Sequence, residues 1–414
     1  MDKKLYPTLS ILCLVPLIMV LGNSMLIPVL PAIQKELHAN LVQVGLLITV
    51  FSISAGIVIP FAGMISDHVG RKNIMFPALL IYGCGGILAG IFALILKDKA
   101  FPYIIGARII QGIGAGGTYQ LSMALAGDLI QSNERSKVLG FLETANGLGK
   151  VISPLAGAAI ALITWYMPFF VYGILAIPVA FLTLFVVKEN TQKLKTNVQP
   201  IPQYLQNLVK IFKQKGIALL ISFLGGLLVL FSLFGLLSLF SDILEKQFKF
   251  GVFQRGLILA VPVLIMAMTA FILGTVMQKQ LAKILKYAVI SGLFLVGLGL
   301  IIFSPSKNLL LFTLSSTILG LGTGAVLPSL NTLITSSAPK TERGLVTCLY
   351  GTVRFFGVAV GPPIFAYVEK IGRPPIFLST AGVCIVLGLL FWLLVKPEQI
   401  IPNEIQAKTT GKGK

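Results

Sequence analysis

The chain has 414 residues, of which 56% are hydrophobic and only 11% charged, with a mean hydropathy of +0.92. That balance excludes a water-soluble globular protein and makes the bilayer the solvent to reason with. The formal charge of +19 would fit a nucleic-acid binder only if the basic residues clustered; they are scattered over short segments between apolar runs, which assigns them to topology and excludes a nucleic-acid partner.

A spanning helix needs about 20 apolar residues. Runs of that kind lie at 8–30, 42–65, 74–96, 100–128, 138–161, 165–187, 217–241, 253–276, 284–305, 309–335, 344–366 and 375–396. They predict an all-α membrane protein of 12 transmembrane helices. Met1-Asp2-Lys3-Lys4 precedes the first run without a small-residue cleavage pattern, so that run reads as a retained span rather than a signal peptide. Cys13, Cys84, Cys348 and Cys384 sit inside apolar runs with no C-x-x-C or histidine spacing, and read as structural thiols rather than ligands. No metal or other cofactor is expected. The absence of an N-x-S/T sequon fits a bacterial inner membrane.

With both termini on one side, 21 Lys and Arg fall on that side and 9 on the other, leaving Arg108, Lys150 and Arg354 inside spans. The positive-inside rule then puts both termini in the cytoplasm. The longest connection, 188–216, carries Lys188, Lys193, Lys195, Lys210, Lys213 and Lys215 against one acid, Glu189, with Pro200 and Pro202. It reads as a basic cytoplasmic linker between a six-helix half at 1–187 and another at 217–396, with a tail at 397–414. One gapless offset of 208 residues superposes the halves: Gly112, Gly114 and Gly116 on Gly320, Gly322 and Gly324, Glu134-Arg135 on Glu342-Arg343, and Pro154 on Pro362. Six spans return the chain to the same side, so the repeats are parallel. Such repeats place a substrate cavity at their interface near the bilayer midplane and open it alternately by rocking.

The segment Gly63-Met64-Ile65-Ser66-Asp67-His68-Val69-Gly70-Arg71-Lys72 closely resembles the signature loop between spans two and three of the major facilitator superfamily. Its glycines permit tight turning, Asp67 can face the positive end of a helix, and Arg71 and Lys72 hold the loop inside. The resemblance implies a cytoplasmic gating latch of Gly63, Asp67, Gly70, Arg71 and Lys72, with the acid reaching span eleven. The second-half counterpart, Gly274 to Lys283 at an offset of 211, has Gln278 where the acid would stand. Arg108, Gln111, Gly112 and Gly114 resemble the family's R-x-x-Q-G-x-G signature. Gly149, Ser153-Pro154 and Gly157 resemble its antiporter pattern with serine before proline, echoed by Gly357 and Gly361-Pro362. That pattern implies antiport, hence export.

Inside the spans the charges are Arg108, Lys150, Arg354 and Glu143. Lys150 lies roughly 18 Å and Arg354 roughly 15 Å into their spans at 1.5 Å per residue. Intramembrane ions are functional by default, and two roles stay open for each. Arg108 is a structural partner or a proton-coupling residue. Lys150 lines the cavity or pairs with Glu143 seven residues earlier. Glu143 exchanges protons or sits at the interface. Uncompensated cations at that depth call for Glu143, a helix-end acid such as Asp128 or Asp242, deprotonation of Lys150, or the ligand. Many drug antiporters of the family have an acid in span one, where this chain offers Asn23. Tyr119, Phe141, Phe234 and Tyr350 are aromatic candidates for the cavity beside Asn23, Lys150 and Arg354, or else face lipid or pack between helices.

No Walker run and no Ser-His-Asp or H-E-x-x-H constellation occurs, and the histidines are His38 and His68. ATP is therefore not the energy source, and no enzyme is expected. The resemblance implies a major facilitator fold and a monomeric secondary transporter in the cell membrane, expelling drugs or other amphiphilic small molecules in exchange for protons. A specific exporter of a metabolite, siderophore or metal complex is the alternative within transport. A non-transporting sensor of the same fold is the alternative outside it.

Overall fold

The computed structural model describes residues 6–129, 135–187, 189, 201–276, 281–337 and 343–400. Glu134, Glu342, Gln278, linker residues 190–200 and the tail beyond Ile400 lie outside them. Every described element is helical. Contacts divide the chain into two units, one of Met1–Val198 with Ser238–Ala260 and one of Gln199–Leu237 with Val261–Lys414.

The first unit begins with α1 (Tyr6–Ser24), a 3-10 turn at Ile27–Val29 and α2 (Leu30–Glu36), followed by α3 (Leu41–Val69) and α4 (Arg71–Leu96). It continues with α5 (Phe101–Gly116), α6 (Tyr119–Leu129), α7 (Arg135–Ile160) and α8 (Met167–Val186). Local chemistry sets several ends. Asn40 accepts from the Gln43 N–H at 2.8 Å while the Gln43 side chain accepts from the Asn40 N–H at 2.8 Å, a reciprocal cap that starts α3. Gly70, at φ 102° and ψ 140°, separates α3 from α4 in a conformation that L side chains rarely adopt. Proline stands in the first turn of α5 and α8, where its missing N–H costs nothing.

The remaining helices are α9 (Ile201–Lys246), α10 (Val252–Val276), α11 (Leu281–Phe303), α12 (Leu309–Ser337), α13 (Arg343–Ala366), α14 (Val368–Ile371), α15 (Arg373–Leu394) and α16 (Pro397–Ile400). The end of α9 and the start of α10 belong to the first unit and the rest to the second.

Two predicted elements differ in extent. The fourth span is two helices, because glycines at 112, 114, 116 and 117 weaken the helix and Thr118 turns its hydroxyl back to the Ala115 carbonyl at 2.6 Å. Residues 201–216, read as linker, are the first part of α9, which bends at Lys215. Among the described residues, ten helical stretches are long and apolar enough to cross a membrane. The α5–α6 pair and α7 complete the twelve. The pair falls short because the break leaves helices of 16 and 11 residues, and α7 because Glu143, Asn146 and Lys150 lower its hydropathy.

Small residues let the backbones approach. A Cβ at Gly112 would collide with the Phe51 carbonyl on α3, and one at Gly114 with the backbone of Tyr82 on α4. In the second unit, Gly320 meets the Pro262 carbonyl on α10 and Gly322 the Gly292 carbonyl on α11. Gly116 faces the Ala55 carbonyl and Gly324 that of Met266. Pro262 lies 211 residues beyond Phe51, and Met266 lies 211 beyond Ala55, which is the offset of the two latch segments. The repeat is thus a repeat of contacts. Outward positions are apolar, as at Phe185 and Leu310, each 75% exposed, and this is the surface a lipid solvent requires.

Candidate functional site

Arg108, on α5, is completely buried. Its Nε donates to the Leu47 carbonyl of α3 at 2.9 Å. Nη1 donates to the Gly22 carbonyl of α1 at 2.9 Å and to Gln111 Oε1 at 2.6 Å. Nη2 donates to Asn23 Oδ1. The guanidinium stands 4.4 Å from the centroid of the Phe51 ring. Asn23 Nδ2 in turn donates to Ser52 Oγ at 3.0 Å, and the Tyr82 hydroxyl to the Ile18 carbonyl at 2.9 Å. One cation therefore ties α1, α3 and α5 together. Asn23, proposed from sequence for the cavity, is 6% exposed and belongs to this cluster.

The segment expected from the sequence to form a latch lies where α3 gives way to α4. Arg71 pairs with Asp67 at 3.3 Å and, through Nε, with Asp128 at the end of α6 at 2.6 Å. The Ser66 hydroxyl closes on the Gly63 carbonyl at 2.7 Å. The first N–H groups of α4, those of Arg71 and Lys72, both donate to the Glu189 carboxylate at 2.9 Å. A carboxylate at a helix N-terminus satisfies orphan donors and complements the dipole. The sequence suggested Asp67 for a helix end; in this unit Glu189 takes that place at α4. Its signal was its isolation, as the one acid in a basic connection. Asp128 and Asp242, suggested as counter-charges for the intramembrane cations, pair with Arg71 and with Lys246 at 3.1 Å, respectively.

On α7, Glu143 is exposed and accepts from the hydroxyl of the buried Tyr119 on α6 at 2.7 Å. Lys150 is half-buried and Phe141 exposed. The antiporter-like residues serve as the seam between α7 and α1. A Cβ on Gly149 would stand 3.3 Å from Leu17, and one on Gly157 would collide with the Met25 carbonyl. Ser153 is buried and bonds back to the Gly149 carbonyl, while the Pro154 carbonyl faces Gly256 at the start of α10. Arg255, 2% exposed and paired with Glu245, is a buried cation the sequence did not single out. It stands near a span end, where charge reads as interfacial.

In the second unit, the Arg354 guanidinium lies 5.4 Å from the centroid of the Tyr350 ring, one helical turn earlier on α13. That ring packs on Phe223 at 5.6 Å. Arg354 Nε is buried and has no hydrogen-bond partner among the described residues. Phe234 is half-buried on α9. The geometry joins Asn23 with Arg108, Tyr119 with Glu143, and Tyr350 with Arg354.

Comparison with known proteins agrees with this architecture. The chain is 37% identical over 374 residues to the bacillibactin exporter of Bacillus subtilis (strain 168), covering 90% of this chain and 92% of that one. It is 28% identical over 390 residues to the multidrug efflux protein YfmO of the same organism, covering 90% and 89%. Among solved structures, the human organic anion transporter MFSD10 superposes with a TM-score of 0.72 at 18% identity, covering 94% of this chain and 100% of that one. An inward-facing bacterial homolog of the human lysosomal transporter Spinster gives 0.75 at 16%, covering 97% and 98%. The family model of the Major Facilitator Superfamily matches residues 12–362. With that match spanning most of the chain, the protein belongs to the Major Facilitator Superfamily of membrane transporters.

Proposed function

We propose that the protein exports anionic or neutral amphiphilic small molecules, siderophores foremost, and that protons drive the exchange. The observation that carries the reading is the sign of the charge at membrane depth: Arg108, Lys150 and Arg354 against Glu143. Cations are costly in hydrocarbon, and a ligand bearing anionic oxygens lowers that cost, whereas a quaternary cation raises it. A siderophore, whose oxygen donors ionise to hold iron, fits this requirement. The bacillibactin exporter, similar along nine-tenths of the chain, supports the same class and the outward direction. A broad drug-efflux reading draws support from the multidrug efflux protein at 28% identity.

The proton is assigned to Glu143. A carboxylate that faces an alternating cavity and exchanges its Tyr119 hydrogen bond for water has two environments, and can load in one and release in the other. Both termini are assigned to the cytoplasm, and the monomer is taken as the working unit. The test is transport in inverted vesicles under an imposed pH gradient, using an iron-free siderophore, a neutral amphiphile and a quaternary dye of matched size. Gradient-driven uptake in the order anion, neutral, cation is expected, and Glu143→Gln should lose gradient dependence while retaining ligand binding. Preference for the dye overturns the substrate class. Unchanged gradient dependence in Glu143→Gln overturns the coupling residue.

A further inference from the structure

The acceptors around Arg108 are two backbone carbonyls and two neutral amides, and among the described residues no carboxylate reaches it. The chain supplies acids elsewhere: Arg255, equally enclosed, meets Glu245, and Arg71 meets Asp67 and Asp128. Gln111 gives its oxygen to the guanidinium, and the hydroxyls of Tyr82 and Tyr172 lie beside its amide. A glutamate there would keep the bond to Arg108 and cancel the charge. Asn23 offers the same choice from α1, since aspartate has its shape and would accept the same bond.

We propose that Asn23 and Gln111 set the charge preference of transport by leaving Arg108 a full, uncompensated positive charge in the core of the first unit. The inference deepens the reading above, and rests on it only in assuming that charged amphiphiles are carried. Burial shields this charge from salt and counter-ions, so its field reaches the neighbouring helices. Along α1, Gly149 packs at Leu17 and Gly157 at Met25, so Asn23 lies in the stretch that α7 covers, with Lys150 at its edge. The two cations therefore bias the same stretch of α1. A unit charge about 10 Å away, at an effective dielectric of about 20, changes the affinity of a charged group on the order of tenfold.

Asn23→Asp and Gln111→Glu, made separately, test the proposal from two helices, with Asn23→Ser as the neutral change at the same place. Binding of matched anionic, neutral and cationic ligands is measured on purified protein in lipid nanodiscs. Each acidic variant should shift the anion-to-cation affinity ratio toward the cation by at least about tenfold and move the neutral ligand little. Asn23→Ser should keep the wild-type ratio even where overall affinity falls. A wild-type ratio in an acidic variant that inserts normally overturns the proposal, as does an equal shift in Asn23→Ser. If the wild type shows no anion preference but both acidic variants still move the ratio, the substrate class fails and the charge-setting role stands.

Discussion

Arg71 and Arg108 meet the cost of placing a guanidinium away from water in opposite ways. Arg71 stands at the edge of the helices, 15% exposed, and two carboxylates converge on it. Arg108 stands in the interior and is satisfied by geometry rather than by charge, each bond directed at a dipole on α1, α3 or its own helix. A third carboxylate near Arg71, that of Glu189, accepts from the backbone N–H groups of Arg71 and Lys72. Glu189→Gln should weaken the start of α4 by about 1 kcal/mol, the scale of a charge–dipole interaction at a helix end, and slow transport without blocking insertion. Thermal unfolding in detergent, read beside transport rate, checks this; an unchanged rate at normal expression removes Glu189 from the latch. For Lys150, loss of a charge-assisted hydrogen bond predicts that Lys150→Ala weakens anionic ligands by about 1–3 kcal/mol and leaves neutral ones nearly untouched. Equal losses for all ligands, with poorer folding, would instead assign Lys150 to holding helices together.

Among the helices, association depends on close approach, because lipid tails are as apolar as the side chains and provide little drive of their own. The glycines of α5 and α12 are where that approach is tightest. Gly114→Val and Gly322→Val should both prevent folding, since each would force a branched side chain into a neighbour's backbone. Gly106→Ala lies on the same helix as Gly114, has nothing within 4 Å of the added methyl, and should be neutral or stabilise by up to about 1 kcal/mol. Yield of monodisperse protein after detergent extraction distinguishes the two groups, and a well-folded Gly114→Val would contradict the packing argument. Hydroxyls within helices follow the same constraint. Thr183, Thr269 and Thr380 all turn back to the carbonyl four residues earlier, which satisfies them within their own helix.

At the scale of the molecule, the excess of 21 basic residues on one side over 9 on the other predicts that both termini face the cytoplasm. Single cysteines introduced near each terminus should react with a membrane-impermeant maleimide only after the cells are permeabilised; labelling of intact cells at either end would reverse the assignment. Composition, span lengths and the 208-residue repeat were enough to establish a helical membrane protein built twice over, because each depends on the solvent or on spacing along the chain. The latch segment and the Arg108 signature were legible for the same reason, as short runs of fixed spacing. Which groups meet across the fold was not legible. Glu189 is 117 residues from the N–H of Lys72, and Asn23 is 85 from Arg108, separations at which no local pattern distinguishes one partner from another. The sequence determined the number of spans, the repeat and the sign of the intramembrane charge. Tertiary structure alone decided that Asp128 and Glu189 meet Arg71 and the start of α4 while Arg108 is held by neutral groups, because pairing depends on where helices cross, and crossings are set by the glycine contacts between distant segments.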